Sequence, residues 1–512
     1  MCGFIFLKQS NSFKVSRNSF KRAVNAQLWR GPDAMKVEAY QEGQVLMGHN
    51  RLAVIDPVPR SDQPMESHDG RFVIIYNGEI YNHREIKRTL NIDCVTNSDT
   101  EIILEGYAKL GKDIVNLLDG MFAFVIYDKS ENTWFSARDF MGIKPMYYYE
   151  DSEVTVIGSE PAPIAEMLSL TLDSDSIKEW RLARRPVPGN TYFRNLKEHL
   201  PGTWRDSNHN SRKYWKLSDV QSSGFEQSEF EYLLRNSVSM HEMSDVTNVS
   251  LLSGGLDSAV ITGLSNTNRS YCVGLPDNNE FSGAYESAKV LGRELMTKTV
   301  SNTQLEETWR TLAKKRGEPL SVPNEALIYL ICKDMEEDEK VVLTGEGADE
   351  ILFGYDRIFR WSLEEDWKGT SDFLKKYGYS GAQNLTDRMK EYIEAIRFGK
   401  TQNEFVEDFF LDFHLPGLLR RMDFSAMAAS KEARVPFVSK ALVSYLYRAN
   451  PSEKIDRAQS KIPLRKMAKS MRLFGALSRQ KIGFSASSGK LMSRAKEYEK
   501  FQNIVMEELA WS

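Results

Sequence analysis

The sequence predicts a layered α+β unit followed by an α/β unit with a mainly parallel sheet and a helical C-terminal part. From residue 1 to about 205, short aromatic and β-branched runs alternate with Gly, Pro, Asn and Asp, as expected for strands joined by tight turns. Residues from about 206 to 228 are polar and lack apolar periodicity, which is typical of a linker. Beyond the linker, apolar strand-like runs alternate with helical patterns, which favours βαβ units.

In the first unit, the clearest strand candidates are residues 72–76, just before Asn77-Gly78, and residues 121–127, just before Asp128. Apolar residues at helical spacing predict helices near 17–29, 82–90 and 99–111.

In the second unit, strands are predicted at 249–252, 271–274 and 341–343. Helices are predicted from 258, around 284–295 and from about 324 to 336, and residues 357–512 have a mostly helical pattern. We expect a division into domains 1–208 and 209–512.

Composition limits the classes of function. The 512 residues include 41% hydrophobic and 27% charged residues, with a net charge of -4 and a pI of about 6.1, which argues against a chain built mainly to grip nucleic acid. The four cysteines show no CxxC spacing, so we expect neither a disulfide framework nor a structural zinc site. A cytoplasmic location is expected for the same reason. No apolar stretch approaches the length of a membrane span.

Cys2 follows the initiator methionine, and its position suggests a nucleophile. Removal of Met1 would leave the thiol and a free α-amino group on one residue. That amine has an ordinary pKa of about 7.7–8.0, so it could accept the thiol proton near neutral pH. The alternative is a small buried hydrophobic residue, which is the usual fate of a free cysteine.

A glycine-bearing loop, residues 253–258 (Ser-Gly-Gly-Leu-Asp-Ser), lies where a predicted strand turns into a helix. Its glycines and the helix N-terminus favour an anion, while Asp257 requires a bridging cation such as Mg²⁺. A Gly-Gly turn with a capped helix is the simpler alternative. A second strand end carries residues 344–350 (Thr-Gly-Glu-Gly-Ala-Asp-Glu), and both loops are expected at one edge of the parallel sheet.

Taken together, these motifs resemble the asparagine synthetase family of glutamine-dependent amidotransferases. The resemblance implies an N-terminal-nucleophile sandwich of α/β/β/α layers joined to a synthetase of the ATP-pyrophosphatase type. It is carried by residues 1–3, 30–33, 48–52, 76–82, 98–101, 118–123, 251–258, 344–350, 432–437 and 479–484.

By this resemblance, the first unit hydrolyses glutamine. Cys2 would attack the side-chain amide, its own α-amino group would act as base, and the Asn77 side chain and Gly78 N–H would bind the oxyanion. The residues expected to bind glutamine are Arg51 for its α-carboxylate, Glu79 and Asp99 for its α-ammonium, and Val54, Asn77 and Gly78 around it.

The resemblance also implies that the second unit uses ATP to adenylate a carboxylate. Glu346 would take a proton from the attacking ammonia, and Lys481 would offset the charge on the phosphates. The residues expected around ATP are Leu251, Ser253, Gly254, Gly255, Asp257, Ser258, Val273, Gly345 and Glu346, with Mg²⁺ held by Asp257 and Asp349.

The acceptor and the assembly stay open at this point. Aspartate is the default acceptor by the resemblance. Residues 317–323 do not match the family's acceptor-recognition pattern one by one, so another carboxylate is the alternative. A tRNA-modifying enzyme and a catalytically silent scaffold are further alternatives, disfavoured by the low pI and by the complete motif set. The expected partners are small molecules, without nucleic acid or membrane, and a homodimer is left open.

Overall fold

The first half of the chain forms two antiparallel six-stranded sheets. The structure, a computed structural model, describes residues 2–10, 14–220, 224–378, 385–479 and 491–511, with 491–495 by backbone alone. The strands are β1 (Cys2–Gln9), β2 (Ala34–Tyr40), β3 (Val45–Arg51), β4 (Met65–Glu66), β5 (Phe72–Ile80), β6 (Gly120–Asp128), β7 (Thr133–Arg138), β8 (Tyr147–Glu150), β9 (Val154–Gly158), β10 (Lys197–Glu198), β11 (Thr203–Asp206) and β12 (Ser211–Lys213). Their orders are β10-β8-β9-β1-β3-β2 and β12-β11-β7-β6-β5-β4.

Apolar side chains alternate between the two faces of these sheets, as the two-residue period of a strand requires. Phe4 and Phe6 of β1 pack with Val73 and Ile75 of β5 in one buried cluster, whereas Ile5 and its neighbours on the other face meet the helices. The helices of this half are α1 (Arg17–Asn25), α2 (His83–Thr89), α3 (Asp99–Leu110), α4 (Pro161–Leu168) and α5 (Ser174–Ala183).

The second half is built on a five-stranded sheet in which every pairing is parallel. Its strands are β13 (Thr247–Leu251), β14 (Arg269–Gly274), β15 (Glu294–Thr299), β16 (Glu339–Leu343) and β17 (Glu432–Arg434), in the order β15-β14-β13-β16-β17. In parallel sheets, ligands bind beyond the carboxyl ends of the strands. The loops after β13 and β16 therefore lie at the edge where both glycine-bearing motifs were expected.

Helices surround this sheet and make up most of the C-terminal part. They are α6 (Gln227–His241), α7 (Leu256–Leu264), α8 (Phe281–Leu291), α9 (Asn302–Arg316), α10 (Glu325–Lys333), α11 (Ala348–Ile351), α12 (Asp356–Glu364), α13 (Thr370–Tyr377), α14 (Asp387–Arg397), α15 (Gln402–Phe409), α16 (Leu415–Met427), α17 (Lys440–Leu446), α18 (Pro451–Lys454), α19 (Ile462–Ser470), α20 (Phe474–Ser478) and α21 (Leu491–Leu509). A π-helical turn, Phe410–His414, joins α15 to α16.

The helix predicted around 284–295 is wrong at its C-terminal end. Gly292 ends α8 in the left-handed conformation, with φ of 65°, which glycine adopts without steric cost. Residues Glu294–Thr299 then form β15 as the edge strand beside β14. The short strand β17 was also absent from the sequence-based prediction.

The last strand of the second sheet bears on where the first domain ends. Strand β12 pairs with β11, so the second sheet extends to Lys213, and the expected division between residues 208 and 209 falls inside this hairpin.

Within the described ranges, none of the helices combines the length and the apolarity needed to cross a membrane.

Candidate functional site

The thiol of Cys2 is buried at the start of β1, where Cys2 pairs with Arg51 of β3. The Cys2 N–H donates to Asn77 Oδ1 at 2.9 Å, and the Leu52 N–H donates to the thiol. Burial raises the pKa of the Cys2 thiol, while the Leu52 N–H and the Arg51 charge act against this shift. The thiol therefore needs a base to become a nucleophile at neutral pH.

Asn77 and Gly78 lie beside this thiol in β5. Because Asn77 Oδ1 accepts from Cys2, the amide Nδ2 points elsewhere, and this nitrogen is buried without a hydrogen-bond partner among the described residues. A Cβ at Gly78 would lie 2.1 Å from the Met121 carbonyl oxygen, and its φ is 158°, so only glycine fits there. An unpartnered buried donor is costly unless a ligand oxygen meets it, so this nitrogen is suited to an oxyanion.

Glu79 and Asp99 form a pair of buried carboxylates near the nucleophile. Asp99 Oδ2 accepts from the Tyr76 hydroxyl at 2.7 Å and from the Ile80 N–H at 2.9 Å, and Glu79 Oε2 accepts from Arg434 Nη2 at 3.2 Å. Burial, reinforced by the Asp99 charge, raises the pKa of Glu79 well above its ordinary value, and burial also raises that of Asp99. A substrate ammonium between them would relieve this repulsion.

Arg51 is held by the loop that follows β3. Its guanidinium donates to the carbonyl oxygens of Ile55, Asp56 and Val58 at 2.7 to 3.1 Å and to Asp62 Oδ1 at 2.7 Å. The side chain of Val54 is buried, and its carbonyl accepts from the Asp245 N–H at 3.0 Å. Arg51 and Val54, two of the six residues expected to bind glutamine, thus also anchor this loop.

The glycine-bearing loop between β13 and α7, residues 253–258, is named the phosphate loop for its expected ligand and is organised by its two serines. Ser258 Oγ accepts from the Ser253 N–H at 3.0 Å and lies 2.9 Å from Ser253 Oγ, which in turn accepts from the Gly255 N–H at 3.0 Å. A Cβ at Gly345 would lie 2.8 Å from the Ser258 nitrogen. The loop after β16 therefore packs directly on the phosphate loop, as expected for one shared crevice.

Leu251 and Val273, expected beside the nucleotide, end up on neighbouring strands. Leu251 is the last residue of β13, and Val273 is buried near the end of β14. Both lie at the carboxyl edge of the sheet, next to the loop that carries Gly345.

Gly254 packs against α8, close to Arg479, the last residue of the described range 385–479. A Cβ at Gly283 of α8 would meet both the Gly254 Cα at 2.7 Å and the Arg479 Nη1 at 2.1 Å. The motif that contains Lys481 therefore begins beside the phosphate loop. Lys481 itself lies outside the described residues.

Asp257 and Asp349 converge on a lysine that the sequence analysis missed. Lys461 Nζ lies 2.7 Å from both carboxylate oxygens of Asp257 and 2.6 Å from Asp349 Oδ1. No group of three or more His, Cys, Asp or Glu side chains within the described ranges could hold a metal alone. Two converging carboxylates nevertheless fit Mg²⁺, which usually takes one or two carboxylates and completes its shell with substrate phosphates and water.

Glu346, the expected base, lies in the same crevice and contacts α16. Arg421 Nη2 donates to Glu346 Oε1 at 2.7 Å. Arg421 is 8% exposed, whereas the Glu346 side chain is 22% exposed. The Glu346 carboxylate is thus partly exposed, and one of its oxygens is held by the more buried Arg421 guanidinium.

Arg30 connects the two halves of the chain. Its Nε donates to the Cys2 carbonyl at 2.9 Å, Nη1 to Glu160 at 2.6 Å and Nη2 to Asp423 of α16 at 2.9 Å. Arg420, three positions before Asp423, donates to Glu160 at 3.2 Å. The Cys2 backbone is therefore tied through one guanidinium to α16, the helix whose Arg421 contacts Glu346.

Four functional side chains lacked an assigned role in the sequence analysis. Arg30 and Arg434 belong to conspicuous motifs, at residues 30–33 and 432–437, so their position was visible there but not their partners. Arg421 lies in α16 and Lys461 directly precedes α19, and neither belongs to a motif that the sequence analysis identified.

Comparison with known proteins agrees with two functional domains in this chain. Residues 1–215 match a glutamine amidotransferase domain, and residues 229–509 match the asparagine synthase family. The chain belongs to the asparagine synthase family. As a member with both domains, it couples glutamine hydrolysis to amide synthesis.

Relatives resemble this family member over most of its length. An asparagine synthetase [glutamine-hydrolyzing] 3 of Bacillus subtilis is 27% identical over 523 residues, covering 91% of this chain and 84% of the relative. An asparagine synthetase [glutamine-hydrolyzing] 1 of Arabidopsis thaliana is 30% identical over 384 residues, covering 69% of this chain and 60% of the relative.

Solved structures give weaker similarities. A glutamine phosphoribosylpyrophosphate amidotransferase from B. subtilis, complexed with ADP and GMP, has a TM-score of 0.33 and 13% identity, covering 67% of this chain and 81% of that one. An NMN synthetase from Francisella tularensis has a TM-score of 0.21 and 19% identity, covering 40% and 93%.

Proposed function

We propose that this enzyme makes asparagine from aspartate, glutamine and ATP. Glutamine and water give glutamate and ammonia in the first domain. In the second domain, aspartate and ATP give a β-aspartyl-adenylate and pyrophosphate, and ammonia then displaces AMP from the adenylate. The family and the pairing of domains support this sequence.

In the first domain, the Cys2 thiol gives its proton to the α-amino group freed by loss of Met1 and attacks the glutamine amide carbon. Asn77 Nδ2 and the Gly78 N–H bind the resulting oxyanion, each such contact being worth about 2.7–4 kcal/mol. The α-ammonium of Cys2 then protonates the leaving ammonia, and water hydrolyses the thioester. Glu79 and Asp99 hold the substrate ammonium, while Arg51 and Val54 border its α-carboxylate.

In the second domain, the phosphate loop residues Ser253, Gly254, Gly255 and Ser258 bind pyrophosphate, and Leu251, Val273 and Gly345 line the nucleotide. A carboxylate oxygen of aspartate attacks the α-phosphorus, and the bond to pyrophosphate breaks. Ammonia attacks the acyl carbon, Glu346 takes its proton, and AMP leaves.

Charge on the phosphates is offset by cations in this crevice. Asp257 and Asp349 would hold Mg²⁺ together with phosphate oxygens, and the ion would neutralise charge that develops on the leaving pyrophosphate. Lys461 contacts both carboxylates and is the described lysine suited to the same task. Lys481 stays a candidate through its motif, which starts beside the phosphate loop.

The observation that carries this proposal is the amide of Asn77, bonded through Oδ1 to Cys2 and buried without a partner at Nδ2. The test is product analysis with ATP, Mg²⁺, aspartate and either glutamine or ammonia, following AMP, pyrophosphate, glutamate and asparagine. Cys2→Ala should abolish glutamine-dependent synthesis and keep ammonia-dependent synthesis. Equal loss or equal retention of both activities would reject Cys2 as the nucleophile.

A different carboxylate acceptor is the second candidate. The segment that departs from the family pattern uses Glu318 to pair with Arg420 at 2.7 Å, and the Ser321 N–H donates to Glu325. These contacts are made within the second domain and occupy both carboxylates, so the segment offers little to an acceptor. Glutamate release without asparagine or AMP in the same assay would favour this candidate.

The finer architecture belongs to the same proposal. We place the N-terminal-nucleophile sandwich, layered α/β/β/α, in residues 1–213, and the ATP-pyrophosphatase-type domain after the following connection. Small molecules are its partners. All four cysteines are free, which supports a cytoplasmic location, where disulfides are rare.

A further inference from the structure

Helix α16 presents an unused cation beside the base of the second site. Arg421 Nε is buried and has no hydrogen-bond partner among the described residues, although Nη2 of the same guanidinium holds Glu346. A guanidinium carries five N–H donors, and a buried donor without a partner costs about 1–3 kcal/mol. This cost is offset when a ligand supplies the missing acceptor.

A second polar group lies on the same face of the helix. Ser425 is four residues after Arg421, fully buried, and its Oγ also has no partner in the described part of the chain. Side chains four apart on a helix are neighbours, and they lean toward the N-terminus, which brings the Ser425 hydroxyl toward Arg421. Together they offer a cation and a hydroxyl donor, a combination suited to a carboxylate.

Neighbouring acidic groups do not take up these donors. Glu325 of α10 is fully buried, but it accepts from Arg316 at 3.2 Å and from the N–H groups of Ser321 and Val322. Glu350 accepts from the Tyr355 hydroxyl at 2.6 Å. Arg421 Nε and Ser425 Oγ therefore keep no acceptor in the described part of the chain.

The geometry of the crevice decides which ligand would reach them. Gly345 packs on the backbone of the phosphate loop, so bound phosphates would lie beside it. Glu346 follows Gly345, and its carboxylate contacts Arg421 of α16. An acceptor whose reacting carboxyl lies between the phosphates and Glu346 would extend its remaining atoms toward α16.

We propose that Arg421, assisted by Ser425, binds a second carboxylate of the acceptor and so makes this site specific for dicarboxylates. The inference rests on the proposed function, in which the acceptor is aspartate and the second group is its α-carboxylate. Arg421 is then a specificity-determining residue as well as the residue that orients Glu346.

The test compares aspartate with aspartic acid α-amide, which keeps the reacting β-carboxyl and carries a neutral carboxamide in place of the α-carboxylate. Ammonia serves as nitrogen donor, and AMP and pyrophosphate release give kcat/KM for each acceptor. We expect the enzyme to prefer aspartate by at least about a hundredfold, because a site built to bind a polar group rejects an analogue that lacks it.

Arg421→Gln should bring this preference below about tenfold, mainly through the KM for aspartate, and Arg421→Lys should retain part of it because the charge is kept. The preference is a ratio between acceptors that share the same base, so weaker positioning of Glu346 cancels from it. Arg448→Gln is the matched control, since this arginine also pairs with buried carboxylates, Glu407 and Asp408 of α15. Its preference should equal that of the wild type.

An unchanged preference in Arg421→Gln, with kcat lowered equally for both acceptors, would overturn the inference and leave Arg421 as a positioning residue. If circular dichroism shows that Arg421→Gln does not fold, Arg421→Lys provides the test. A full wild-type preference and an unchanged KM for aspartate in Arg421→Lys would reject a close contact between Arg421 and the second carboxylate. Absence of turnover with aspartate in the wild type would reject the proposed acceptor itself, a result distinct from both.

Discussion

Asn77 is predicted to make two separable contributions to glutamine hydrolysis. Its Oδ1 accepts from the Cys2 N–H at 2.9 Å, and its buried Nδ2 has no partner in the described part of the structure. Asn77→Asp keeps the acceptor and replaces the donor by an oxygen of the same shape. Asn77→Ala removes both.

The expected magnitude follows from these two contacts. Loss of one oxyanion donor costs about 2.7–4 kcal/mol, so Asn77→Asp should lower the glutaminase kcat by about 10² to 10³. Asn77→Ala also loses the bond to Cys2, worth about 1 kcal/mol, and should lose a further factor of about five.

The assay measures glutamate release from glutamine and, in parallel, asparagine formed from ammonia. Both variants should keep ammonia-dependent synthesis, because Asn77 does not belong to the second site. Asn82→Ala is the matched control: this asparagine ends the same motif, but its amide donates to the Leu117 carbonyl at 2.9 Å, away from the thiol. If glutamate release by Asn77→Asp stayed within about threefold of the wild type, the amide would not bind the oxyanion.

Three further outcomes are expected. Lys461→Met should lower ATP–pyrophosphate exchange by at least about a hundredfold at saturating aspartate while glutamate release continues. The reason is that Asp257 and Asp349, beside the expected phosphate position, lose the cation that they contact. Exchange at the wild-type rate would show that another residue offsets the phosphate charge. Iodoacetamide at pH 8 should label Cys94 before Cys272 and Cys332 by peptide mass spectrometry, since burial raises the pKa of the latter two to about 12; equal labelling would contradict this difference. Burial alone would raise the pKa of Glu432, but nearby Arg434 and Lys144 help hold it at about 2. The ionised Glu432 therefore stabilises the fold above its unfolded pKa of 4.5, and this stabilisation is lost as pH falls toward 2. The acid unfolding of Glu432→Gln should lack this loss, and identical dependence of stability on pH in variant and wild type would refute the prediction.

Much of the fold could be predicted from the sequence because the pattern there is local. Run 72–76 forms the first half of β5, run 121–127 forms the centre of β6, and the predicted start of α3 near residue 99 is confirmed by the Ser98 cap. Strand β15 was missed because a helical pattern continued past Gly292, and β17 because three residues give no measurable period.

The site was predictable to the extent that motifs mark it. The loops at 253–258 and 344–350 meet as expected, since both follow neighbouring parallel strands. Partners from distant helices could not be predicted in this way: Lys461 is 204 residues from Asp257, and Arg421 is 75 residues from Glu346. Only the three-dimensional packing brings such pairs together.

The shared guanidinium of Arg30 has a consequence for building hybrid enzymes. Exchanging the first domain for that of a relative would separate Arg30 from Asp423, and Glu160 from Arg420, leaving buried charges without their counterions. Breaking one such pair costs about 3–5 kcal/mol, a large share of the stability of a typical domain. Functional chimaeras therefore require these four positions to be transplanted as one set, whichever glutaminase is chosen.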